Sequence, residues 1–284
     1  MSATPYDNLT PELILSAIES VGFAASGSLF ALNSFENRVY QIGLEDGQFI
    51  IAKFYRPKRW SDAAILEEHE FMLELAAREI PVIPPLLLNN DSTLAKYADY
   101  RFALFKRQGG RSLELSNLEH LEWMGRAIGR IHAVGKTRRF QHRLTLSVET
   151  YGEKPYAFLR ENGFIPEVLR HNYGSILERN LQLIKTCYQK AGDVQFLRVH
   201  GDCHIGNVLV TAEGLKLVDF DDCLQAPAIQ DLWMLLTGET ETIIEQQLQA
   251  ILTGYQEFMD FDYRELKLIE ALRTLRKTSM QWVR

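Results

Sequence analysis

The segment Leu197–Asp222 constrains the fold more than any other part of the chain. Its sequence, LRVHGDCHIGNVLVTAEGLKLVDFDD, predicts a short apolar strand, a polar loop, a second strand, a turn at Glu213-Gly214 and a third strand followed by three acids. A polar loop between strands of β-branched and aliphatic residues has no role in packing a core. We therefore expect this segment to handle a metal ion and a phosphate group.

Length, charge and cysteine usage limit the class of protein. A chain of 284 residues can bury a large core and form one large domain or two lobes that share a cleft. The net charge of -6 gives no broad basic field for nucleic acid or an anionic membrane. The chain shows no secretory signal and no apolar run of roughly 20 residues, and its three cysteines favour reduced thiols. We expect a cytoplasmic monomer.

In the N-terminal part, apolar and polar residues alternate as in the strands of a small antiparallel sheet. Residues 39–42 and 49–55 alternate as strands, and Asp46-Gly47 between them is typical of a tight hairpin turn. The polar segment 32–38 precedes the first of these strands and is able to close another hairpin.

Two charged residues interrupt apolar patterns in this part. Lys53 shares a strand face with Ile51 and Tyr55, and is either an edge-strand lysine whose amine reaches water or a cation held beneath a phosphate. The helix predicted over residues 61–79 carries Glu68 on its apolar stripe. Because an unpaired buried charge is costly, we expect Lys53 and Glu68 to pair.

The rest of the chain divides at a pair of glycines. Residues 101–105 predict a strand, and Gly109-Gly110 suit a hinge or a close backbone approach. Beyond them the apolar spacing is mostly helical, with stripes in residues 118–131, 176–191, 241–258 and 262–276. We predict an α+β chain with an N-terminal lobe of residues 1–107 and a C-terminal lobe of residues 108–284.

Three chemistries fit the central segment incompletely and remain as alternatives. His200, Cys203 and His204 are transition-metal ligands by type, but their spacing is unusual for zinc and hard oxygen donors dominate nearby. A calcium loop needs acids at alternate positions and a closing glutamate. A nucleophilic Cys203 beside a histidine is a weak signal, because adjacent residues seldom point at each other.

Magnesium-assisted phosphoryl transfer fits better. Magnesium binds a few carboxylate or carbonyl oxygens together with substrate phosphates. The attacking hydroxyl needs a carboxylate that orients it and accepts its proton. Asp202, Asn207 five residues later and Asp219 after the next strands supply groups for both tasks.

These residues carry a family resemblance. The motif H-G-D-x-H-x-x-N at His200–Asn207, followed by V-D-F-D-D at Val218–Asp222, resembles the aminoglycoside phosphotransferase and choline kinase family, relatives of the eukaryotic protein kinases. Four further segments closely resemble the bacterial stress response kinase A family of serine/threonine protein kinases: residues 33–41, 53–57, 65–69 and 227–236. The resemblance extends to about Leu275.

The resemblance implies a two-lobed protein kinase-like fold, with a small antiparallel sheet in the nucleotide-binding N-terminal lobe and a mostly helical catalytic and substrate lobe. It implies an ATP- and Mg²⁺-dependent kinase that acts on serine or threonine hydroxyls of a protein. A small-molecule alcohol kinase, acting on homoserine, choline, an aminoglycoside or a sugar, is the alternative on the same fold. A catalytically inactive kinase-like binding module is a third hypothesis.

The resemblance also implies roles for individual residues. Asp202 would accept the proton of the substrate hydroxyl, while Asn207 and Asp219 would hold Mg²⁺ against the ATP phosphates. Lys53, braced by Glu68, would contact the α and β phosphates.

Further positions would complete the site. The turn around Ser34 would cover the phosphates, and Gln108 to Gly110 would border the adenine. Asp231 would fix the catalytic loop from the following helix.

The chain departs from the kinase pattern in four ways. It has no G-x-G-x-x-G loop, and His204 stands where serine/threonine kinases typically have a lysine. No activation segment is recognisable between Asp222 and Pro227. Residues 276–284 do not resemble the continuation of the family, so we expect shortened C-terminal helices.

Overall fold

The computed structural model describes residues 5–34, 36–89 and 91–283, with side chains up to residue 278. The chain forms two units, one of Met1–Arg111 with Leu209–Asp221 and the other of Ser112–Val208 with Asp222–Arg284. The first boundary lies four residues after the expected one between residues 107 and 108, and a hairpin from the expected C-terminal lobe belongs to the first unit.

The first unit is built on a five-stranded sheet in the order β1-β2-β3-β5-β4. Its strands are β1 (Ala25–Leu32), β2 (Arg38–Leu44), β3 (Phe49–Phe54), β4 (Ala95–Tyr97) and β5 (Tyr100–Lys106). All neighbouring strands are antiparallel, which confirms the predicted sheet. The β2–β3 turn forms where expected: Asp46 Oδ1 accepts a hydrogen bond from the Gln48 amide, and Gly47 has φ of 81°.

Two helices pack on this sheet. Helix α1 (Pro11–Ser20) begins after Thr10, whose hydroxyl accepts from the Leu13 amide, and α2 (Asp62–Ala76) begins after Ser61, which caps Ala64 in the same way. Helix α2 ends three residues before the predicted Glu79, which lies in the left-handed region with φ of 56°. The core beneath α1 centres on Phe54 and Phe102, whose rings stack with centroids 5.2 Å apart.

The hairpin of β7 (Val208–Thr211) and β8 (Gly214–Leu217) belongs to the first unit through backbone pairing. Arg111 and Val210 exchange two hydrogen bonds, of 3.0 and 2.8 Å, and the Leu217 amide donates to Pro81 O at 2.7 Å. Phe220 then packs edge-on against Phe71 of α2. These contacts connect residues far apart in sequence, which is why local patterns placed the hairpin with the helical lobe.

The second unit is mostly helical. It contains α3 (Leu118–Gly135), α4 (Lys154–Glu161), α5 (Glu167–Ala191), α6 (Ile229–Leu232), α7 (Glu241–Tyr255) and α8 (Ile269–Val283), with the antiparallel pair β6 (Leu197–Val199) and β9 (Leu224–Ala226). Helix α5 begins nine residues before the predicted start, where most residues are exposed and give no apolar stripe. The helix predicted over 262–276 is instead a 3-10 turn, Tyr263–Leu268, followed by α8.

The closest helix packing joins α3 to α7 through glycines. A Cβ atom on Gly125 would lie 2.0 Å from Ile251 O, and one on Gly254 would lie 2.1 Å from Glu122 O. Only glycine permits this approach of the two backbones. Among the described residues, no helix has the length and apolar character needed to cross a membrane.

Candidate active site

Lys53 lies at the centre of a buried ion cluster in the first unit. It projects from β3, between β2 and β5, and is 5% exposed. Its Nζ lies 3.4 Å from Glu68 Oε1, 3.0 Å from Asp219 Oδ1 and 3.2 Å from Asp221 Oδ1. The edge-strand alternative is wrong because β3 is an interior strand. The predicted pairing of Lys53 with Glu68 is confirmed.

The surrounding carboxylates keep Lys53 charged. Burial alone lowers the pKa of Lys53, but the negative charges of Asp219, Asp221 and Glu68 outweigh that effect and hold the pKa well above its usual value. The lysine therefore presents a fixed positive charge at any physiological pH.

Asp219 differs from the other two carboxylates in its exposure and backbone. Its side chain is 53% exposed, whereas those of Glu68 and Asp221 are 1% and 6% exposed. Its φ of 60° lies in the left-handed region, which non-glycine residues rarely adopt and which clusters at functional sites. Asp219 is thus held beside Lys53 while its carboxylate remains accessible to a cation.

Asp221 and Arg59 complete the cluster. Arg59 Nη1 contacts Asp221 Oδ2, so this carboxylate lies between an arginine and Lys53. Sequence reasoning grouped Asp221 with the acids of the central segment but gave it no role, and it overlooked Arg59. The two residues are 162 positions apart, and the only local signal was the basic character of Arg56-Pro57-Lys58-Arg59.

The loop that follows β6 in the second unit is held by Asp231 of α6. The Asp231 carboxylate accepts hydrogen bonds from the amides of His200 and Gly201, each of 2.8 Å. His132 Nε2 lies 3.0 Å from the same carboxylate, and its Nδ1 lies 3.1 Å from the Tyr255 hydroxyl. The role predicted for Asp231 is confirmed, and His132 is the core histidine of this network.

Gly201 turns the chain into the loop. Its φ is 85°, and a Cβ atom there would lie 2.1 Å from Asp222 O. Glycine is therefore required at this position for both conformation and space.

The Asp202 carboxylate lies between an arginine and a histidine. Arg276 Nη2 of α8 contacts Oδ1, and His204 Nε2 lies 3.5 Å from Oδ2. Burial raises the pKa of Asp202, but the hydrogen bond to His204 and the positive charge of Arg276 outweigh burial and hold the pKa at about 2. Asp202 is therefore an ionised carboxylate, as a proton acceptor requires. Sequence reasoning gave Arg276 no role, because it falls in the segment that departs from the family.

Asn207 ends the short 3-10 turn Ile205–Asn207 of the loop. Its Nδ2 donates to the Asp202 carbonyl oxygen at 3.0 Å, which leaves the side-chain Oδ1 as the atom available to a cation. This oxygen and the exposed carboxylate of Asp219 are hard donors of the kind that Mg²⁺ prefers. The residues present therefore fit this ion by type.

Among the alternative chemistries, the geometry bears most directly on the nucleophilic Cys203. Within residues 5–34, 36–89 and 91–283, no three His, Cys, Asp or Glu side chains are arranged to hold a metal ion. His200 Nδ1 accepts from the Asp202 amide. Cys203 is fully buried, and burial raises its thiol pKa well above the usual value, opposite to what a nucleophile needs.

The nucleotide residues predicted from the resemblance lie in the first unit. Ser34 Oγ donates to Asn37 O at 2.9 Å, while the neighbouring Phe35 lies outside the described residues. Gln108 is exposed, and a Cβ on Gly110 would lie 2.9 Å from Leu209 Cβ, so the backbone passes close to the β7 strand there. Their contacts with phosphate and adenine remain predictions.

Comparison with known proteins agrees with these motifs. Residues 30–269 match the sequence model of the phosphotransferase enzyme family. Stress response kinase A of Escherichia coli O157:H7 is 39% identical over 275 residues, covering 97% of this chain and 82% of the relative. Serine/threonine protein kinase RdoA of Salmonella typhimurium strain LT2 has the same identity and coverage. The resemblance inferred from the motifs is confirmed.

The fold is shared with solved kinases. Amicoumacin kinase hAmiN, in complex with AMP-PNP, Ca²⁺ and Ami, has a TM-score of 0.80 at 20% identity, over 98% of this chain and 86% of that one. The predicted α+β, protein kinase-like fold is confirmed by this similarity.

Proposed function

Because the chain belongs to the phosphotransferase enzyme family, we propose that it is an ATP- and Mg²⁺-dependent serine/threonine protein kinase. Kinase-type phosphoryl transfer follows from the family and from relatives named as kinases. The nucleotide, the metal ion and the protein acceptor are the parts that we propose. They rest on the relatives' names together with the chemistry of the side chains described above.

The observation that carries the proposal is the Lys53 cluster. A lysine that is 5% exposed and surrounded by three carboxylates is expensive to desolvate, and apolar residues of similar size would stabilise a sheet at least as well. Its fixed charge suits the α and β phosphates of a nucleotide, with Glu68 holding the ammonium in place. We infer that the cluster is kept for phosphate binding and not for stability.

The remaining roles follow from charge and exposure. Asp202 orients the acceptor hydroxyl and takes its proton, and Asp231 keeps the loop that carries Asp202 in place through the amides of His200 and Gly201. Asn207 and Asp219 are the proposed ligands of Mg²⁺. When bound, the ion would neutralise phosphate charge that develops during transfer.

The adenine and the outer phosphates are assigned to other parts of the first unit. Ser34 and nearby amides take the place of the missing glycine-rich loop over the phosphates. Gln108 to Gly110 border the adenine, where backbone groups are able to hydrogen-bond its edge.

Incubation with ATP labelled at the γ position and Mg²⁺ tests the proposal. We expect label on serine or threonine of a generic protein substrate, and no label when Asp202→Asn replaces the wild type at equal thermal stability. Label found only on small alcohols such as homoserine, choline or a sugar would contradict the protein-kinase assignment. No transfer to any acceptor, the chain itself included, would support the inactive binding module.

A further inference from the structure

The ion pair between Asp202 and Arg276 blocks one oxygen of the proposed proton acceptor. Arg276 projects from α8, and its Nη2 contacts Asp202 Oδ1 while its Nη1 lies 3.7 Å from Met234 Sδ. The other carboxylate oxygen, Oδ2, faces His204 Nε2 at 3.5 Å. Both oxygens of Asp202 are thus directed at cationic or hydrogen-bond-donating groups.

An acceptor hydroxyl must reach one of those oxygens. A proton acceptor has to lie within about 2.6–3.2 Å of the oxygen whose proton it takes. A charge-assisted hydrogen bond to a guanidinium is roughly twice as strong as a neutral one, so an alcohol by itself competes poorly for Oδ1. Productive binding therefore needs a second partner for Arg276.

Arg276 is placed to receive such a partner. Its side chain is 29% exposed, compared with 17% for Asp202, so a ligand is able to contact the guanidinium. The planar guanidinium has five donors, which allows it to hold a second carboxylate in a bidentate arrangement. A carboxylate beside the acceptor hydroxyl would attract Arg276 and release Oδ1, whereas a cationic acceptor would be repelled.

We propose that Arg276 selects the acceptor, favouring a serine or threonine hydroxyl that is flanked by an acidic residue in the peptide. This inference rests on the proposed function and names its substrate class. During transfer, the acceptor oxygen forms a bond to the γ-phosphorus as its proton goes to Asp202. The bond from that phosphorus to the bridging oxygen breaks, and ADP leaves with the electron pair.

A purely structural role for Arg276 makes a different prediction. If Arg276 only fixed α8 against the loop, its replacement would lower stability and activity equally for every acceptor. If it selects the acceptor, its replacement changes the ratio between acidic and basic acceptors. The ratio is therefore the informative measurement.

The test compares two serine peptides that are identical except for glutamate or lysine on both sides of the acceptor. With the full chain, ATP and Mg²⁺, we expect kcat/KM for the glutamate peptide to exceed that for the lysine peptide by about tenfold. Arg276→Gln should bring the ratio close to one.

Arg273→Gln is the matched control. Arg273 lies on the same helix but pairs with Glu270 at 2.7 Å and stacks over Trp233, so its replacement should leave the ratio unchanged. A wild-type ratio near one, a preference for lysine, or an unchanged ratio in Arg276→Gln would overturn the inference.

A binding measurement and the pattern of transfer to the two peptides separate this inference from the proposed function. Binding of the same peptides with alanine in place of the acceptor serine, measured on the wild type, should also favour the glutamate version and decides the matter if Arg276→Gln fails to fold. Equal transfer to both peptides overturns the inference alone. Transfer to neither peptide, with or without label on small alcohols, overturns the proposed protein-kinase function and this inference together.

Discussion

At the scale of single residues, Lys53 is the common partner of three carboxylates. The side chains of Glu68 and Asp221 are almost fully buried, and a carboxylate oxygen of each lies within 3.4 Å of Lys53 Nζ. Removing one partner from a buried ion cluster lowers the free energy of unfolding by more than the intact pair contributes to it, because the remaining charges stay buried without a counter-charge. Lys53→Met should therefore lower the free energy of unfolding by about 3 kcal/mol, measured by chemical denaturation.

A surface lysine of the same sheet provides the control. Lys96 of β4 is exposed, so Lys96→Met should change the free energy of unfolding by less than about 0.5 kcal/mol. If Lys53→Met were as stable as the wild type, the carboxylates would not depend on Lys53. The double variant Lys53→Met/Glu68→Gln should recover part of the loss, since it leaves one buried charge fewer.

Residue patterns predicted several members of the Lys53 cluster and of the Asp202 site but missed the arginine in each. Lys53, Glu68, Asp202, Asn207 and Asp219 stand in motifs short enough to be recognised, and the buried Lys53–Glu68 pair followed from the cost of burying either charge alone. Arg59 and Arg276 were missed because their partners are 162 and 74 positions away. A residue pattern reports what is near in sequence, so a long-range ion pair at the end of a side chain leaves no periodic signal.

At the scale of elements, glycine positions determine how closely helices approach. The backbone of α7 passes so near α3 that a Cβ on Gly125 would meet Ile251 O at 2.0 Å. Backbone atoms cannot move aside as a flexible side chain can, so the helices must separate. Gly125→Ala should lower the free energy of unfolding by about 2–3 kcal/mol, seen as a lower denaturation midpoint.

The same substitution elsewhere should be harmless. A Cβ on Gly174 of α5 would meet only the hydroxyl end of the flexible Tyr156 side chain. Because alanine favours helix by about 1 kcal/mol over glycine, Gly174→Ala should be neutral or stabilising. Equal losses for the two variants would show that close packing of α3 against α7 is not the cause.

Helix α6 is short, and its start depends on a buried acid. Glu265 Oε2 accepts the Ile229 amide at 2.8 Å. Burial raises the pKa of Glu265 to about 7, with a smaller raising effect from Asp262 and opposing effects from backbone amides and Arg264. Tyr255 also interacts electrostatically with this carboxyl.

The sign of the pH dependence follows from that shift. Between the ordinary pKa of 4.5 and about 7, the folded chain holds a proton that the unfolded chain has lost, so stability from this group falls as pH rises through the window. The loss should be on the order of 2–3 kcal/mol. Glu265→Gln keeps an oxygen for the Ile229 amide and does not titrate. The decline in unfolding free energy between pH 5 and pH 8 should therefore be smaller in the variant; equal declines would contradict the assignment.

Elements were predicted best where hydrogen bonds between residues close in sequence determine the conformation. The Asp46-Gly47 turn formed where the sequence predicted it, since it uses a hydrogen bond between residues close in sequence. The start of α5 and the membership of the β7–β8 hairpin were not predicted. Both depend on contacts with distant parts of the chain, and no local pattern records them.

At the scale of the whole molecule, the proposed function assigns different tasks to residues of the two units. The proposed roles differ between the units: Asp219 holds the metal ion, whereas Asp202 receives a proton only during transfer. A ligand that binds the folded chain raises the unfolding temperature, by an amount that grows with the logarithm of the ligand concentration relative to Kd. ATP should therefore raise the unfolding temperature in the presence of Mg²⁺, and chelation of the metal should remove most of that shift.

Two alanine variants then separate the proposed roles of the acids. Asp219→Ala should abolish the Mg²⁺-dependent part of the shift, because it removes the accessible carboxylate that we assign to the ion. Asp202→Ala should retain the shift and lose phosphoryl transfer by a factor of about 10² or more, since its carboxylate acts on the acceptor and not on the nucleotide. Equal loss of the shift in both variants would contradict this division, and a shift that survives chelation would contradict the assignment of Mg²⁺. The proposed division of roles therefore requires that phosphoryl transfer can be lost while Mg²⁺-dependent ATP binding is retained.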